Sequence, residues 1–372
     1  MEPNRGRRLL AWLSCVPHVI RGNCGLRERG RLRGTSSMSN EAMDKSRAAL
    51  LAICWIVGVS LALVASPGAV LAAPYPDHPI RLVVPFPAGG GADTLARIVM
   101  PRVGQELGVP IVIDNRPAAG GNVGAELVAH AAPDGYTLLY GTNGTHAINA
   151  TLYSNLRFDP VRDFAPISRM TTITALLVVN PDFPARSVGE LIQFAKSHPG
   201  EVNFASAGNG TTSHLAGELF GAMAGIDIVH VPYRGGALAM KDVVAGQVQM
   251  MIDVMPNAYP LARSGKVRGL ACTTARRSPA APEYPTIAES GLPGYDVSAW
   301  DAIFAPAGTP PEIIDVLNAA IRRALEDPEV AQSLLAHGAQ PIPSTPNELA
   351  RYVEAESRKW AKMVMQSGAK ID

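Results

Sequence analysis

"PFPAGGGADTLAR" (residues 85–97) follows an apolar run, Ile80 to Val84, passes through three consecutive glycines and continues as a helix-like pattern. Glycines after a strand mark a close approach to the backbone, because without Cβ atoms the chain can turn its N–H groups inward. A Walker phosphate loop needs Lys and then Ser or Thr after its last glycine, but Ala92 and Asp93 stand there. A dinucleotide fingerprint needs a further glycine at position 92, 93 or 94, and none is present, although Asp114 in "IVIDN" sits near the spacing of the ribose-binding acid. Amides at a helix N-terminus bind anions more generally. The loop alone leaves two readings: an anion site, or a tight strand-to-helix turn without a ligand.

Residues 43–72 have a short basic start at Lys45 and Arg47, an apolar stretch from Ala48 to Ala65, a Pro67-Gly68 break and small residues ahead of a cleavage point after Ala72. That is the pattern of a cleavable signal peptide and predicts export to the periplasm. The apolar stretch is near spanning length, so an uncleaved anchor is the alternative. Cys54 does not read as a lipid anchor, because Ile53 precedes it where a small residue is expected. Residues 1–42 are rich in Arg and lack a sustained period. They read as an extension upstream of the true start, Met38 or Met43, rather than as a basic arm for nucleic acid.

Residues 1–72 carry ten of the 33 basic groups and four of the 32 acidic ones, which leaves the remainder at a net charge of about −5. A protein that neutralises phosphates should be basic, so nucleic acid is not an expected partner. Of the four cysteines only Cys272 lies beyond the leader, so the exported chain can form no internal disulfide. No His and Cys cluster has zinc spacing and no Asp-rich calcium loop occurs, so neither a metal nor a cofactor is implied.

Beyond residue 72, apolar runs such as "IRLVVPF", "TALLVVN", "VNFASA" and "VQMMID" alternate with amphipathic stretches. Unbroken apolar strands separated by helices predict an α/β fold with mostly parallel sheets covered by helices on both faces. Strand, glycine loop and helix occur at "VVPFPAGGGADTLARI" and again at "NFASAGNGTTSHLAGEL" (203–219), roughly 120 residues later. Both loops belong at the carboxyl ends of parallel strands, where open α/β sheets place their ligands. Two loops from two lobes can close on one small molecule.

"YPDHPIRLVVPFPAGGGADTLAR", "NRPAAGGNVGAELVAHAAPDGYTLLYGTNGTHAINATLY", "FAPISRM", "SAGNGTTSHLAGELF", "HVPYRGG" and "FAPAGTP" occur in this order from Tyr75 onward. Together they resemble the Bug family, the periplasmic substrate-binding components of tripartite tricarboxylate transporters. The resemblance implies a two-lobe, type II-like periplasmic binding protein that closes on a small carboxylate and delivers it to the transporter's membrane subunits. It also implies a monomer without enzymatic activity. The lobes would comprise residues 73–174 with 299–372, and residues 175–298.

The resemblance also implies a site. Phe86, Ala88, Gly89 and Gly90, with Asp93 at the helix start, would hold one carboxylate through backbone N–H groups. Ser206, Gly208, Asn209, Thr212, Ser213 and His214 would supply donors from the other side, Thr142 and Asn143 would reach the cleft from "YGTNGTHA", and Asp253 would face it from "MMIDVMP". Asp301 in "WDAIFAPAGTP" departs from the family pattern, which more often has an aromatic or neutral polar residue there. If Asp253 and Asp301 both lined the pocket, they would oppose a second ligand carboxylate and welcome an amino group or hydroxyls. Arg234 is the nearest loop cation, for the ligand or for a solvent-facing or interlobe role.

Two rival readings carry different features. A periplasmic hydrolase could use a glycine loop as an oxyanion hole. However, Ser213 and His214 are adjacent and point in different directions on a helix, and no Gly-any-Ser-any-Gly elbow is present. A sensor subunit for a signalling partner would share every motif above.

Overall fold

The computed structural model describes residues 75–369 and, upstream, Ala49, Leu51, Ala52 and Trp55, which are helical. The readings of residues 1–42 as an upstream extension and of 43–72 as a signal peptide otherwise lie outside the described residues. Among these, no helix is long and apolar enough to cross a membrane.

The architecture is α/β, as the alternation of apolar runs and amphipathic stretches predicts. β1 (Ile80–Val84), β2 (Ile111–Asn115) and β3 (Thr137–Thr142) run parallel, with Ile80 opposite Ile111 and Arg81 opposite Thr137. A second parallel set is formed by β5 (Val202–Ser206), β6 (Ile228–Pro232) and β7 (Met250–Val254). The sheet as a whole is mixed, because β4 (Phe164–Val179), β8 (Arg268–Cys272), β9 (Ser298–Pro306) and β10 (Ala339–Pro341) pair antiparallel.

β4 joins the two sets. Its residues Phe164 to Thr174 pair with β9, and Ala175 to Val179 pair with β7. The resulting strand order is β2-β1-β3-β9-β4-β7-β5-β6. A single strand of 16 residues thus belongs to both halves of the sheet.

The central strands are buried on both faces, which is why they read as continuous apolar runs rather than as an alternation. One apolar cluster packs Val99, Val103, Leu317 and Ile321 of the helices Gly91–Leu107 and Pro311–Glu326 against Leu82 and Leu138. A second covers one face of the other half, with Met240, Val243, Met251 and Met255. The largest draws on both halves: Val83, Leu139 and Phe304 share it with Leu177, Phe204 and Ile252.

The helix Pro346–Ser367 closes this shared core with Leu349, Val353 and Trp360. It begins with a capping box, in which Thr345 accepts from the Glu348 amide while Glu348 accepts from the Thr345 amide. Midway along it the buried Glu356 Oε2 accepts hydrogen bonds from the indoles of Trp300 (2.9 Å) and Trp360 (3.0 Å). One carboxylate therefore fixes a tryptophan of β9 against the C-terminal helix.

Removing that acceptor leaves two buried indole N–H groups unpaired, at about 1–3 kcal/mol each. Glu356→Ala is expected to lower stability by about 2–6 kcal/mol in urea unfolding, and Glu356→Gln, which keeps an acceptor oxygen, by less than half as much.

Candidate functional site

Each glycine loop is shaped by its own hydrogen bonds before any ligand is considered. After β1, Pro85 and Pro87 remove two amide donors, Gly89 takes φ +77°, and Gly90 forms the helix N-cap. The Gly89 amide donates to Asp93 Oδ2 at 2.9 Å and the Gly90 amide to Pro87 O at 3.3 Å. Asp93 also accepts from Arg97 Nε (2.8 Å) and Asn115 Nδ2 (3.0 Å). Burial opposes ionisation of Asp93, but the bonds from Arg97, Gly89 and Asn115 outweigh it and hold the carboxyl below its usual range.

The donors left at this helix start are the first-turn amides beginning at Gly91 and Ala92, which have no intrahelical acceptor and no side-chain cap. A Cβ on Gly91 would lie 2.7 Å from Val254 Cγ2, so glycine here permits contact with the end of β7.

The second loop is organised in the same way. Thr211 Oγ1 donates to Gly208 O (2.6 Å), Ser213 Oγ accepts from the Ala207 amide (2.8 Å), and the Gly210 amide donates to His214 Nδ1 (3.3 Å). Ser206 Oγ accepts from the Gly208 amide (3.2 Å) and shares a hydrogen bond with His230 Nε2 at 2.6 Å. The helix Thr212–Ala224 that follows has no side-chain cap either. A third uncapped start lies after β6, where Gly235 (φ +134°) precedes the helix Gly236–Val244.

These three starts line one cavity of about 280 Å³. Of the residues expected from the sequence, Phe86, Ala88 and Gly90 line it from the first loop, Thr142 and Asn143 from the end of β3, and Thr212, Ser213 and Asp253 from the other half. Gly89, Asp93, Ser206 and His214 do not. Their polar groups shape the loops from behind: Asp93 holds the Gly89 amide, Ser206 the Gly208 amide, and His214 the Gly210 amide. Gly208 and Asn209 line a separate depression of about 610 Å³, together with Arg234.

Sequence reading missed Gly235 and Gly236 as cavity residues, although the glycine pair of "VPYRGG" was a legible signal. It also missed Tyr140, which opens "YGTNGTHA", and Asn257, which carries no motif and reaches the wall only through the fold.

The two halves touch around this cavity. Asn143 Nδ2 donates to Thr212 Oγ1 at 3.0 Å while the Thr212 hydroxyl donates to Asn143 Oδ1 at 3.1 Å, and Tyr153 OH donates to Asn209 O at 3.1 Å. A Cβ on Gly120 would lie 2.2 Å from Asn209 O, and one on Gly235 would lie 2.6 Å from Pro87 Cγ.

No Lys, Arg or His lines the cavity among the described residues, whereas Asp253 and Asp301 both do. Burial pushes the Asp253 carboxyl up to about 6, against hydrogen bonds from Asn257 Nδ2 and the Val254 amide (2.9 Å). Burial pushes Asp301 to about 6 as well, although it accepts from Tyr140 OH, Thr171 Oγ1 (2.7 Å) and the Thr171 amide (2.9 Å).

The adjacent Ser213 and His214 do not hydrogen-bond each other in this arrangement, because each is engaged with a different loop amide. Ser206 and His230 do pair, but Ser206 is wholly buried behind the loop and away from the cavity. His214, Glu218 and His230 bring ligating atoms close together, yet the two imidazoles stack at 4.1 Å and 21°. A metal bonds a ring nitrogen in the plane of the ring, so nearly parallel rings do not converge on one ion.

The raised Asp253 carboxyl has a pH consequence. A group whose folded-state pKa lies above its unfolded value contributes stability fully below the unfolded pKa, here 3.8, and loses it as pH rises through about 6. Between pH 4 and pH 8 the stability of Asp253→Asn relative to the parent is expected to rise by on the order of 2 kcal/mol, read from urea unfolding of both proteins at each pH.

The model of the Tripartite tricarboxylate transporter family receptor matches residues 95–369. Protein BugT of Bordetella pertussis is 37% identical over 317 residues, which cover 85% of this chain and 97% of BugT. Among solved structures, R. palustris Rpa4515 with adipate superposes with a TM-score of 0.78 at 39% identity, covering 80% of this chain and all of that one. MatC (Rpa3494) from Rhodopseudomonas palustris with bound malate gives a TM-score of 0.75 at 38% identity, covering 78% of this chain and all of MatC. With a family model over most of its described residues and these relatives along nearly their whole lengths, the chain belongs to the receptor family of tripartite tricarboxylate transporters, the Bug proteins.

Proposed function

We propose that this solute-binding protein works in the periplasm, where it captures a small carboxylate between two lobes and hands it to the membrane subunits of a tripartite transporter. The observation that carries the reading is the convergence of three uncapped helix starts, at Gly91, Thr212 and Gly236, on one cavity without a cationic side chain. Such a site attracts an anion through main-chain dipoles. The carboxylates in the Rpa4515 and MatC structures agree with that class of ligand.

The proposed lobes are residues 73–174 with 299–372, and residues 175–298. Support comes from β4, which changes partners between Thr174 and Ala175, and from β9, which enters the first half of the sheet at Ser298. Export by cleavage after Ala72 and a monomeric state complete the proposal. The ligand-binding role of Phe86, Ala88, Gly90, Thr142, Asn143, Thr212, Ser213 and Asp253 belongs to it too, with Gly91 and Gly236 added from the cavity wall. The proposed roles of Gly89, Asp93, Ser206 and His214 are to hold the loops in the binding shape.

Differential scanning fluorimetry against mono- and dicarboxylates tests the class directly, since a bound ligand raises the unfolding temperature by mass action. Gly91→Val, whose side chain would meet Val254, is expected to abolish the ligand-induced shift, while Arg234→Ala, outside the cavity, leaves it within experimental error. The reverse order would mean that the anion is held by an ion pair.

The reciprocal Asn143–Thr212 contact is the proposed latch between the lobes. At about 0.5–1.5 kcal/mol for each of its two hydrogen bonds, Asn143→Ala is expected to raise the ligand's dissociation rate by roughly fivefold to a hundredfold in stopped-flow fluorescence, with a smaller change in association rate.

A further inference from the structure

Resting on the carboxylate reading above, we infer that the body of the ligand, the part that carries the carboxylate, is hydrocarbon: a short saturated chain or one aromatic ring. Acids with a hydroxyl or amino group on that body are the poorer ligands.

The side chains that present surface to the cavity carry the argument. Phe86, Ala92, Ala207, Ala237 and Val254 are partly exposed, Leu238 is 51% exposed, and all six are apolar. They stand beside the donors. Ala92 follows Gly91 in the first turn of its helix, Ala207 lies in the loop that leads to the start at Thr212, and Ala237 and Leu238 follow Gly236. A carboxylate drawn to the first-turn amides therefore brings its attached carbons against methyl groups and a leucine. Apolar area removed from water there adds to the affinity.

The polar side chains of the wall are turned inward or engaged with one another. Asp301 is wholly buried and accepts from Tyr140 OH and from the amide and hydroxyl of Thr171. Asp253 is 4% exposed and accepts from the Val254 amide and Asn257 Nδ2. Asn143 and Thr212 bond each other reciprocally. Ser213 Oγ accepts from the Ala207 amide and shares a hydrogen bond with Thr211 Oγ1, which donates to Gly208 O. Two side-chain atoms of the wall stay open, the Thr142 hydroxyl and Asn257 Oδ1. Thr142 adjoins Asn143, which reaches the helix start at Thr212, so it belongs with the carboxylate. That leaves a lone acceptor for the whole ligand body. A hydroxyl or amino group there gives up its hydrogen bonds to water without recovering them from the wall.

The size of the cavity suits such a body. Its volume of about 280 Å³ exceeds the roughly 150 Å³ that suffices to hold benzene, which leaves room for a carboxylate beside a ring or short chain. An apolar pocket rejects an added hydroxyl by about a hundredfold at most. Leu238 is half open to solvent, so a smaller factor applies here.

Matched ligands test this by isothermal titration calorimetry on the purified protein: butyrate against beta-hydroxybutyrate and gamma-aminobutyrate, succinate against malate, glutarate against alpha-hydroxyglutarate, and benzoate against para-hydroxybenzoate. Each set keeps the number of carboxylates and the carbon skeleton and changes only the polarity of the body. Wherever any member of a set binds, the hydrocarbon member is expected to bind at least fivefold more tightly than its polar counterparts. In Val254→Thr, which keeps the side chain's shape and places a hydroxyl in the wall, and in Leu238→Ser, that preference is expected to shrink at least threefold. Leu238 is half-exposed, so its variant keeps the test available if Val254→Thr does not fold, as judged by circular dichroism and thermal unfolding. A preference below fivefold or reversed in the unmodified protein, or one unchanged in the folded variants, overturns this inference and leaves the carboxylate reading standing. Binding of no carboxylate in any set overturns both.

Discussion

The backbone ladder of β4 is the constraint on which the rest of the molecule depends. A strand that pairs with β9 along its first part and with β7 along its last cannot leave either half of the sheet without breaking main-chain hydrogen bonds. Its last five residues, Ala175 to Val179, are all apolar and buried, so the strand enters the second half with both faces covered. The parallel strands on either side end in loops that meet near this crossing. The C-terminal helix packs against the shared core and ties Trp300 through Glu356. The cavity's walls thus come from two halves that share a continuous spine rather than from two separately folded bodies.

The loops themselves illustrate a division of labour among hydrogen bonds. A glycine loop is floppy unless something holds it, because glycine adds conformational freedom to the unfolded chain. Here Asp93, Asn115, Ser206, Thr211, Ser213 and His214 do the holding, each by engaging a loop amide or carbonyl. Once these groups are engaged, the unpaired donors that remain are the first-turn amides of the helices, and helix geometry aims them forward. Stabilising the loop and presenting donors are therefore linked: an amide that holds the loop is not available to a ligand.

Electrostatics complete the picture. Main-chain dipoles can stabilise an anion without adding a full positive charge to the wall, so the cavity tolerates two buried carboxylates of its own. Those carboxylates sit high in pKa because burial disfavours their ionised form more than their hydrogen bonds favour it. Their state responds to whatever is placed beside them.

The α/β class was legible in the sequence because strands buried on both faces leave continuous apolar runs, and the glycine loops were legible because glycine accepts positive φ values such as that of Gly89 without steric cost. The motif order was sufficient to recognise the family. Tertiary structure decided which side of each loop faces the cavity. Asp93 and His214 carry the same chemistry whether they meet a ligand or a loop amide, and spacing along the chain does not distinguish the two. Tyr140 of β3, Asp301 of β9 and Asn257 in the first turn of the helix Met255–Arg263 are far apart in sequence, and only the pairing of β3 with β9 and β4 with β7 brings them to one wall. Local sequence determined the backbone of each element through sterics and burial. The direction of the side chains that decide ligand chemistry was settled by long-range register, which no single stretch encodes.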